Sequence, residues 1–449
     1  MEKKYNFENL VLLVGTNPLP NYVVGKYFLM NNPDLKKIWL VYSEKQNDFG
    51  TREIAERIKD VLNKDCSNFG FCPLEDISNA RNIKKNVETN ILDKLTGSVH
   101  LNYTGGTKAM AVHVYRAIDK YDKSSNNSFS YLDARKFVLI DDAVGIITND
   151  LRKIININAK TFSFDGLINL HGYKKKSGGV EYGDQWNGVL EEFEKLINEK
   201  ELGDYFKWKK LIRKIYYIKK NEKAIIDTDI NKIRLRIKET KIKERLDNKD
   251  VFYNFDEHPF KVHALQILSK IPDTYSLLNN NSELYISDIT NVKKQIKPSI
   301  EFLDGKWLEN YIFQILKRKL KSINGDVPLE LNWILEKHNA NKDDKNFELD
   351  IILLNGYQIY GISITTDHDE TRCKSKGFEI FHRVNQIGGE ESKAILITCL
   401  DSNQVKKMGT DLNAETSSER LMVLGIEDLP EKNLLPKIVA FIGLKEAIC

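Results

Sequence analysis

The chain has 449 residues, of which 41% are hydrophobic and 29% charged, a balance typical of soluble globular proteins and unlike that of disordered ones. No run of about 18 apolar residues occurs, which excludes a membrane-spanning helix, and the first residues lack the apolar core of a signal peptide. The length predicts two or three domains, and the net charge of +4 conceals a strongly basic segment in the middle of the chain.

The cysteines favour a reducing, cytoplasmic compartment. There are five of them, an odd number, and no two form a CxxC pair. This pattern indicates neither a disulfide framework nor a zinc site, and the HExxH motif of zinc hydrolases is absent as well. We therefore expect a cytoplasmic protein that has no membrane partner and no zinc centre.

Residues 1–150 alternate short apolar runs with amphipathic stretches. The apolar runs are rich in β-branched residues, as buried parallel strands are. These predicted strands are Leu10–Val14, Ile38–Tyr42, Val99–Tyr103 and Phe137–Ile140. The predicted helices are Tyr22–Met30, Arg52–Leu62, Ile83–Leu95 and Lys108–Lys120. The alternation predicts an α/β domain with an open, doubly wound, Rossmann-like sheet and helices on both faces.

Two loops of this domain contain residue types that suit an anionic ligand. The first predicted strand continues into Gly15-Thr-Asn-Pro-Leu-Pro20, and the strand Val99–Tyr103 continues into Thr104-Gly-Gly-Thr-Lys108. In doubly wound sheets ligands bind beyond the carboxyl ends of the strands, and the free N–H groups of the following helix attract anions. The alternative is that Gly105-Gly106 only makes a tight turn. Neither loop has the P-loop or GxGxxG pattern, which disfavours a P-loop NTPase and a dinucleotide dehydrogenase.

The segment Asn102–Ala111, with the sequence NYTGGTKAMA, resembles the signature loop and helix of the CARF domain, the CRISPR-associated Rossmann-fold sensor. The first loop resembles the first ligand loop of that domain. The resemblance implies a homodimer that binds a cyclic oligoadenylate across its two-fold axis, with cyclic tetra-adenylate favoured. Slow cleavage of the ligand by the sensor itself is an alternative, although neither loop supplies an obvious general base. The implied contact residues are Thr16, Asn17, Pro18, Thr104, Gly105, Gly106, Thr107 and Lys108.

Residues 151–295 are expected to form a helical, basic connector. Between Lys207 and Arg245 there are 15 Lys and Arg against 5 Asp and Glu, a net charge of +10 that leaves −6 for the rest of the chain. The stretch from Lys207 onward interleaves cations with Trp208, Tyr216 and Tyr217, a pattern that suits phosphate neutralisation and base stacking. The charge and aromatic content of the connector therefore predict that it contacts DNA and/or RNA. The alternative is an amphipathic helix whose aromatic residues belong to the core.

Residues 296–449 are expected to form a third, α+β domain. A predicted helix at about Lys306–Leu320 opens it, and a second helix at about Ser375–Ile387 precedes the last predicted strand. The Asn355-Gly356 pair predicts a hairpin turn between two of the strands. The predicted strands are Leu329–Leu335, Glu348–Leu354, Gln358–Thr365 and Ala394–Thr398.

Three carboxylates of this domain are candidates for metal binding. Strand alternation places Glu348 and Asp350 on one face, and Glu309 lies on a helix that can approach the same edge. Converging carboxylates provide the hard oxygen ligands that Mg²⁺ or Mn²⁺ prefer. A metal ion held there would activate water for phosphodiester cleavage.

This order of elements is similar to the PD-(D/E)xK core of restriction-endonuclease-like nucleases, and Gly305–Tyr311 with the following hairpin resembles the effector domain of CARF-linked nucleases from type III CRISPR systems. The resemblance implies a metal-dependent hydrolase of antiviral defence, with Asp350 and Glu309 as catalytic residues and allosteric activation by the cyclic ligand.

The sequence departs from the PD-(D/E)xK pattern on the second strand of the hairpin. Ser363 and Thr365 take the positions of the second acidic ligand and the lysine. In an active nuclease Lys374 or Lys376 would replace the lysine, and a carboxylate just past the strand would replace the acid. The alternative is a ligand-gated binding protein with a catalytically degenerate nuclease fold. The candidate carboxylates past the strand are Asp367, Asp369 and Glu370.

Overall fold

The chain is described by a computed structural model that covers residues 5–44, 50–63, 68–121, 127–155, 164–176, 182–216, 258–279, 282, 284, 292–324, 327–339 and 346–444. These residues form two sheets with helices packed against both. No helix within these ranges is long and apolar enough to cross a membrane. The described cysteines that are free, Cys72, Cys373 and Cys399, are all buried.

The first sheet has seven strands in the order β3-β2-β1-β4-β5-β6-β7, and its first five strands are parallel. Its strands are β1 Asn9–Leu13, β2 Lys37–Ser43, β3 Phe69–Leu74, β4 Val99–Asn102, β5 Ser128–Asp133, β6 Val138–Asp141 and β7 Gly145–Ile146. Its helices are α1 Leu19–Asn31, α2 Arg52–Leu62, α3 Ala80–Asn90 and α4 Lys108–Asp119. This arrangement confirms the predicted doubly wound domain. The predicted parallel strand at Phe137–Ile140 is in fact β6, which runs antiparallel to β5.

The second sheet has six strands in the order β13-β12-β11-β10-β9-β8. Strands β11, β12 and β13 are parallel, whereas β8, β9, β10 and β11 pair antiparallel, as the predicted hairpin requires. The α+β class predicted for the C-terminal part is confirmed. The strands are β8 Tyr173–Lys176, β9 Leu329–Lys337, β10 Phe347–Asn355, β11 Gln358–Ile364, β12 Lys393–Ile397 and β13 Leu421–Leu424.

Helices from the middle of the chain pack against one face of this second sheet and share a buried cluster with it. They are followed by a π-helical turn, Phe302–Lys306, which continues directly into the helix Trp307–Asn324 (α11). The helices described after α4 are α5 Leu151–Ile154, α6 Phe164–Leu170, α7 Asn187–Glu199, α8 Leu202–Tyr216, α9 Lys261–Ser269, α10 Val292–Glu301, α11 Trp307–Asn324, α12 Glu370–Gly388, α13 Ser402–Thr416 and α14 Glu431–Ile442.

One buried cluster joins the two sheets. It contains Leu10 and Leu12 of β1, Leu167 of α6, and Leu354 and Ile359 of the β10–β11 hairpin. Strand β8 comes from the connector that was expected to be helical, and it pairs with β9 at the edge of the second sheet. The boundaries at residues 150 and 295 stay predictions. Helices α7, α8 and α9 of the expected connector share a buried cluster with the second sheet, whereas α6 packs in the cluster that joins the two sheets.

The basic segment is described only as far as residue 216, so most of Lys207–Arg245, including Tyr217, lies outside the described residues. Within α8, Trp208 is fully buried and Lys209 is 8% exposed. The Lys209 ammonium donates to the backbone oxygen of Asp304 at 2.8 Å and to Thr366 Oγ1 at 3.2 Å. Trp208 is therefore a core residue that cannot stack on bases, as the alternative interpretation of this helix expected.

Candidate functional site

The two predicted ligand loops lie side by side because β1 and β4 are neighbouring parallel strands whose carboxyl ends meet at one edge of the sheet. A Cβ atom on Gly105 would lie 2.1 Å from the Leu13 backbone oxygen, so only glycine fits there. Gly106 has a φ of +75°, a conformation that glycine adopts without strain. The glycine pair thus brings the two loops together at the start of α4.

The side chains of the second loop divide into supporting and exposed groups. The Thr104 hydroxyl donates to Asn102 Oδ1 at 2.7 Å and accepts from the Leu132 backbone N–H at 2.7 Å, so it holds the loop. Thr107 caps α4, because its hydroxyl accepts from the Met110 backbone N–H at 3.2 Å. Thr107 and Lys108 are exposed. The N-terminus of α4 therefore presents N–H groups and one cation to solvent, an arrangement that suits a phosphate.

The side chains of the first loop also differ in their surroundings. Thr16 is exposed and Pro18 is buried. Asn17 uses both ends of its amide, since Oδ1 accepts from the Leu19 backbone N–H at 3.1 Å and Nδ2 donates to Glu391 Oε2 at 3.0 Å. Of the residues predicted for this loop, the structure leaves Thr16 facing solvent and turns Asn17 toward the C-terminal unit.

The second candidate site lies on the β10–β11 hairpin. The antiparallel register, in which Ile351 lies opposite Ile362, places Asp350 beside Ser363. Asp350 Oδ2 accepts from the Ile364 backbone N–H at 2.6 Å and from Ser363 Oγ at 3.3 Å. Ser363, which replaces the expected acid, thus holds Asp350 in place.

Lys306 connects the predicted carboxylates, and the sequence analysis did not single it out. Its ammonium lies 2.7 Å from Glu309 Oε2 and 3.1 Å from Glu348 Oε1. It also donates to Asn332 Oδ1 at 3.2 Å. A signal was present in the sequence, because Lys306 and Glu309 are three positions apart, a spacing at which side chains meet on a helix.

The buried carboxyl groups of this cluster, Glu309 and Asp350, have raised pKa values. Burial raises the pKa of Glu309 well above its ordinary value, and the charge of Asp350 raises it further, whereas Lys306 opposes both effects. Burial likewise raises the pKa of Asp350, against the Ile364 hydrogen bond and the charges of Lys306 and Lys376. Burial lowers the pKa of Lys306, but the three carboxylates outweigh it and the pKa is raised. The positive charges of Lys306 and Lys376 therefore offset only part of the effect of burial on these pKa values.

The structure separates the two candidate catalytic lysines. Lys376 lies on α12 close enough for its charge to lower the pKa of Asp350. Lys374 instead forms a 2.7 Å ion pair with Glu415 of α13 and lies 3.9 Å from Asp411. Of the two lysines, Lys376 is the one whose charge acts on Asp350.

The three carboxylates that were candidates to replace the missing acid lie at or just before the start of α12, where they make other contacts. Asp369 caps the helix through the Arg372 backbone N–H, and Asp367 pairs with the Arg372 guanidinium at 3.2 Å. Glu370 accepts from the side-chain amide of Gln404 at 2.8 Å. None of these contacts involves Asp350.

In the part of the chain that the structure describes, no three His, Cys, Asp or Glu side chains form a group that could hold a metal ion. Glu309, Glu348 and Asp350 offer the hard oxygen ligands that Mg²⁺ or Mn²⁺ prefer, but their described arrangement does not gather all three around one position. The ammonium of Lys306 lies between two of these carboxylates in the described geometry.

A hydrogen-bonded network connects the first loop to the C-terminal unit. Glu391 is 5% exposed and ends the short turn Gly389–Glu391 that follows α12. Besides the bond from Asn17, its backbone oxygen accepts from Gln358 Nε2 at 2.7 Å. Gln358 in turn accepts from the Arg152 guanidinium at 3.0 Å. The predicted ligand loop thus contacts the turn next to the helix that bears Lys376.

Comparisons with known proteins agree with this architecture. Residues 9–157 match the family model of the Card1 CARF domain, so the first sheet has the CARF fold. Protein VC1899 from Vibrio cholerae is similar in fold, with a TM-score of 0.63 and 16% identity over 97% of this chain and 99% of that chain. Can2 from Sulfobacillus thermosulfidooxidans, solved in complex with cyclic tetra-adenylate, has a TM-score of 0.58 and 13% identity over 96% of each chain. No curated protein matches the chain.

Proposed function

We propose that the chain is a sensor of cyclic oligoadenylate joined to a metal-dependent nuclease of type III CRISPR antiviral defence. The match of residues 9–157 to the Card1 CARF domain and the likeness to Can2, solved with cyclic tetra-adenylate, support the sensor part. The observation that carries the whole proposal is the hydrogen bond between Asn17 and Glu391, because it connects the ligand loop to the candidate active-site unit.

The ligand binds at the adjoining loops of β1 and β4. Thr16, Thr107 and Lys108 are exposed there. A ring of phosphates matches the N–H groups at the start of α4 and the positive charge of Lys108. Cyclic tetra-adenylate is the favoured ligand.

A homodimer completes the ligand site. A symmetric ring of phosphates is matched best by two copies of the same loops related by a two-fold axis. Val112 lies one turn beyond Lys108 on α4 and is 51% exposed. This apolar side chain beside the ligand loops is a candidate contact with the second copy.

The effector reaction is cleavage of DNA and/or RNA at the cluster of Glu309, Glu348 and Asp350. These carboxylates would hold Mg²⁺ or Mn²⁺, which would supply an activated water and charge neutralisation for phosphodiester hydrolysis. Ser363 and the Ile364 backbone N–H orient Asp350. Lys376 brings a positive charge toward the same carboxylate, as a developing phosphorane charge requires.

Gating follows from the network around Glu391. A ligand that repositions Asn17 changes its bond to Glu391, and the turn that contains Glu391 ends α12. Since α12 bears Lys376, ligand binding and the arrangement of the cluster are thermodynamically coupled. The activator therefore shifts the C-terminal unit between two arrangements.

A specific observation favours a second candidate function, a ligand-gated binding protein without catalysis. Ser363 and Thr365 stand where the PD-(D/E)xK pattern has the acid and the lysine, and Thr365 is buried and accepts from the Asp367 backbone N–H at 3.2 Å. In that case the cluster has a structural role, and ligand binding would alter contacts with a partner.

Calorimetry with cyclic tetra-adenylate and cyclic hexa-adenylate, together with light scattering, tests the sensor proposal. The expected result is a dimer that binds one ring for each two chains. No binding of either ring, or one ring for each monomer, would show that the sensor proposal is wrong.

A further inference from the structure

Lys306 provides a cation within the carboxylate cluster. We infer that its ammonium holds this cluster together in the metal-free state and competes with a divalent ion for Glu309. This inference rests on the proposed function, since it concerns the metal site of the proposed nuclease. Its consequence is that metal binding requires Lys306 to move away from Glu309.

The contacts of the ammonium match its three donors. Oxygen atoms of Glu309, Glu348 and Asn332 lie 2.7, 3.1 and 3.2 Å from Nζ and come from α11, β10 and β9. Three acceptors from three elements satisfy the three N–H groups of an ammonium. Lys306 therefore joins the helix to both strands at the place where the carboxylates meet.

The backbone around Lys306 is fixed on both sides. Lys306 is the last residue of the π-helical turn, an element found often at functional sites. Before it, the Asp304 backbone oxygen accepts from Lys209 Nζ at 2.8 Å and from Thr366 Oγ1 at 2.9 Å. At Lys306 itself, the backbone oxygen accepts from Asn310 Nδ2 at 2.7 Å. These bonds fix the backbone from which the lysine side chain extends.

The acceptor from β9 has an unusual backbone. Asn332 has a φ of +54°, in the left-handed region that asparagine tolerates and most residues avoid. It lies in the interior of a strand, across from Asp350 in the register of β9 and β10. Local strain of this kind persists where the surroundings require it. The Asn332–Lys306 contact is a feature that the fold maintains.

The proposed competition between the Lys306 ammonium and a metal ion takes place at the Glu309 carboxylate. It is 8% exposed, and Lys306 forms the shortest of its three contacts with this carboxylate. In this arrangement the described residues contain no group of three His, Cys, Asp or Glu side chains that could hold a metal ion. A divalent ion that uses Glu309 together with Asp350 competes with the ammonium, because two cations at one buried carboxylate repel each other strongly.

Manganese binding to the full-length protein tests the inference. Binding of Mn²⁺ is measured by calorimetry for the natural protein and for Lys306→Met and Lys306→Arg. We expect Lys306→Met to bind Mn²⁺ about tenfold or more tightly, since the competing charge is gone. Lys306→Arg keeps the charge and should stay close to the natural protein. Lys195→Met is the matched control, because Lys195 forms a similar 2.9 Å pair with Glu192 three residues away on an exposed helix face.

A second measurement needs no variant and covers the case in which Lys306→Met fails to fold. Acetylation of Lys306 in the natural protein, followed by mass spectrometry, should become severalfold faster when Mn²⁺ is added, whereas Lys195 should not change. Equal or weaker Mn²⁺ binding by a folded Lys306→Met, or acetylation of Lys306 that Mn²⁺ does not alter, would overturn the inference. Mn²⁺ binding that follows the expected pattern without any nucleic-acid cleavage would support the inference and contradict the proposed nuclease.

Discussion

The side-chain amide of Asn17 donates a 3.0 Å hydrogen bond to the carboxylate of Glu391, although 374 positions separate the two residues in the chain. The contact joins the loop after β1 to the turn after α12. A Cβ atom on Gly389, in the same turn, would lie 2.2 Å from Asn17 Nδ2, so this turn packs directly against the loop. The ligand loop and the C-terminal unit are therefore adjacent parts of one packed structure.

Glu391→Ala should uncouple the two parts. The substitution removes the acceptor of the Asn17 amide, and we expect ligand-dependent stimulation of cleavage to fall about tenfold, within the usual range of allosteric coupling. Affinity for the ligand, measured by calorimetry, should change less than cleavage. Glu390→Ala, at the exposed neighbouring residue, is the control. Equal stimulation in Glu391→Ala and the natural protein would refute this coupling route.

Lys108→Met should weaken ligand binding. The exposed ammonium at the start of α4 faces the predicted phosphate position, so its loss should reduce affinity for cyclic tetra-adenylate by about tenfold, and more at low salt. Lys120→Met, at the other end of the same helix, should leave affinity unchanged. Calorimetry at two salt concentrations measures the difference. Equal effects of the two substitutions would place the ligand elsewhere.

Lys376→Met should lower cleavage much more than Lys374→Met. Lys376 acts on Asp350, whereas Lys374 is paired with Glu415 on α13. Loss of one preorganised positive group near the reacting phosphate lowers the rate by about a hundredfold, while loss of an exposed ion pair changes stability only slightly. Initial rates under activated conditions measure both. The reverse order of the two effects would exclude Lys376 as the replacement lysine.

Acid should destabilise the chain through His171. Its Nε2 is buried without a hydrogen-bond partner, and burial, with the charge of Arg57, lowers the pKa from 6.5 to about 3. Below pH 6.5 the unfolded state therefore binds a proton that the folded state does not. Stability is complete above about pH 6.5 and falls toward pH 3 by up to about 1.4 kcal/mol per pH unit.

His171→Asn should flatten this acid dependence, which urea unfolding at several pH values would measure. His382→Asn, at an exposed histidine, is the control. An unchanged slope in His171→Asn would show that His171 is not the group responsible.

Much of the fold could be predicted because strongly apolar runs such as that of β1 and regular amphipathic patterns such as that of α2 depend on local sequence. Strand β5 was missed because its sequence, SFSYLD, mixes polar and apolar residues. The burial of Trp208 could not be decided from the sequence, since the same helical spacing describes a core face and a nucleic-acid face.

The candidate sites likewise include some features that the sequence predicts and others that depend on tertiary packing. The hairpin that carries Asp350 and Ser363 was predicted from the Asn355-Gly356 pair, and its register brings the two residues together. The contact of Asn17 with Glu391 depends on how two sheets pack, which no local pattern encodes. For Lys306 the sequence gives only part of the answer. Its spacing from Glu309 is local, but its contacts with Glu348 and Asn332 depend on tertiary structure.

The central claim is that ligand binding at the sensor controls metal-dependent cleavage at the Asp350 cluster. The most direct test incubates the purified protein with Mn²⁺ or Mg²⁺ and plasmid DNA, single-stranded DNA or RNA, each with and without cyclic tetra-adenylate, beside an Asp350→Asn variant. The account predicts cleavage that requires both ligand and metal and is lost in the variant. Ligand binding without any cleavage, or cleavage that persists in Asp350→Asn, would contradict it.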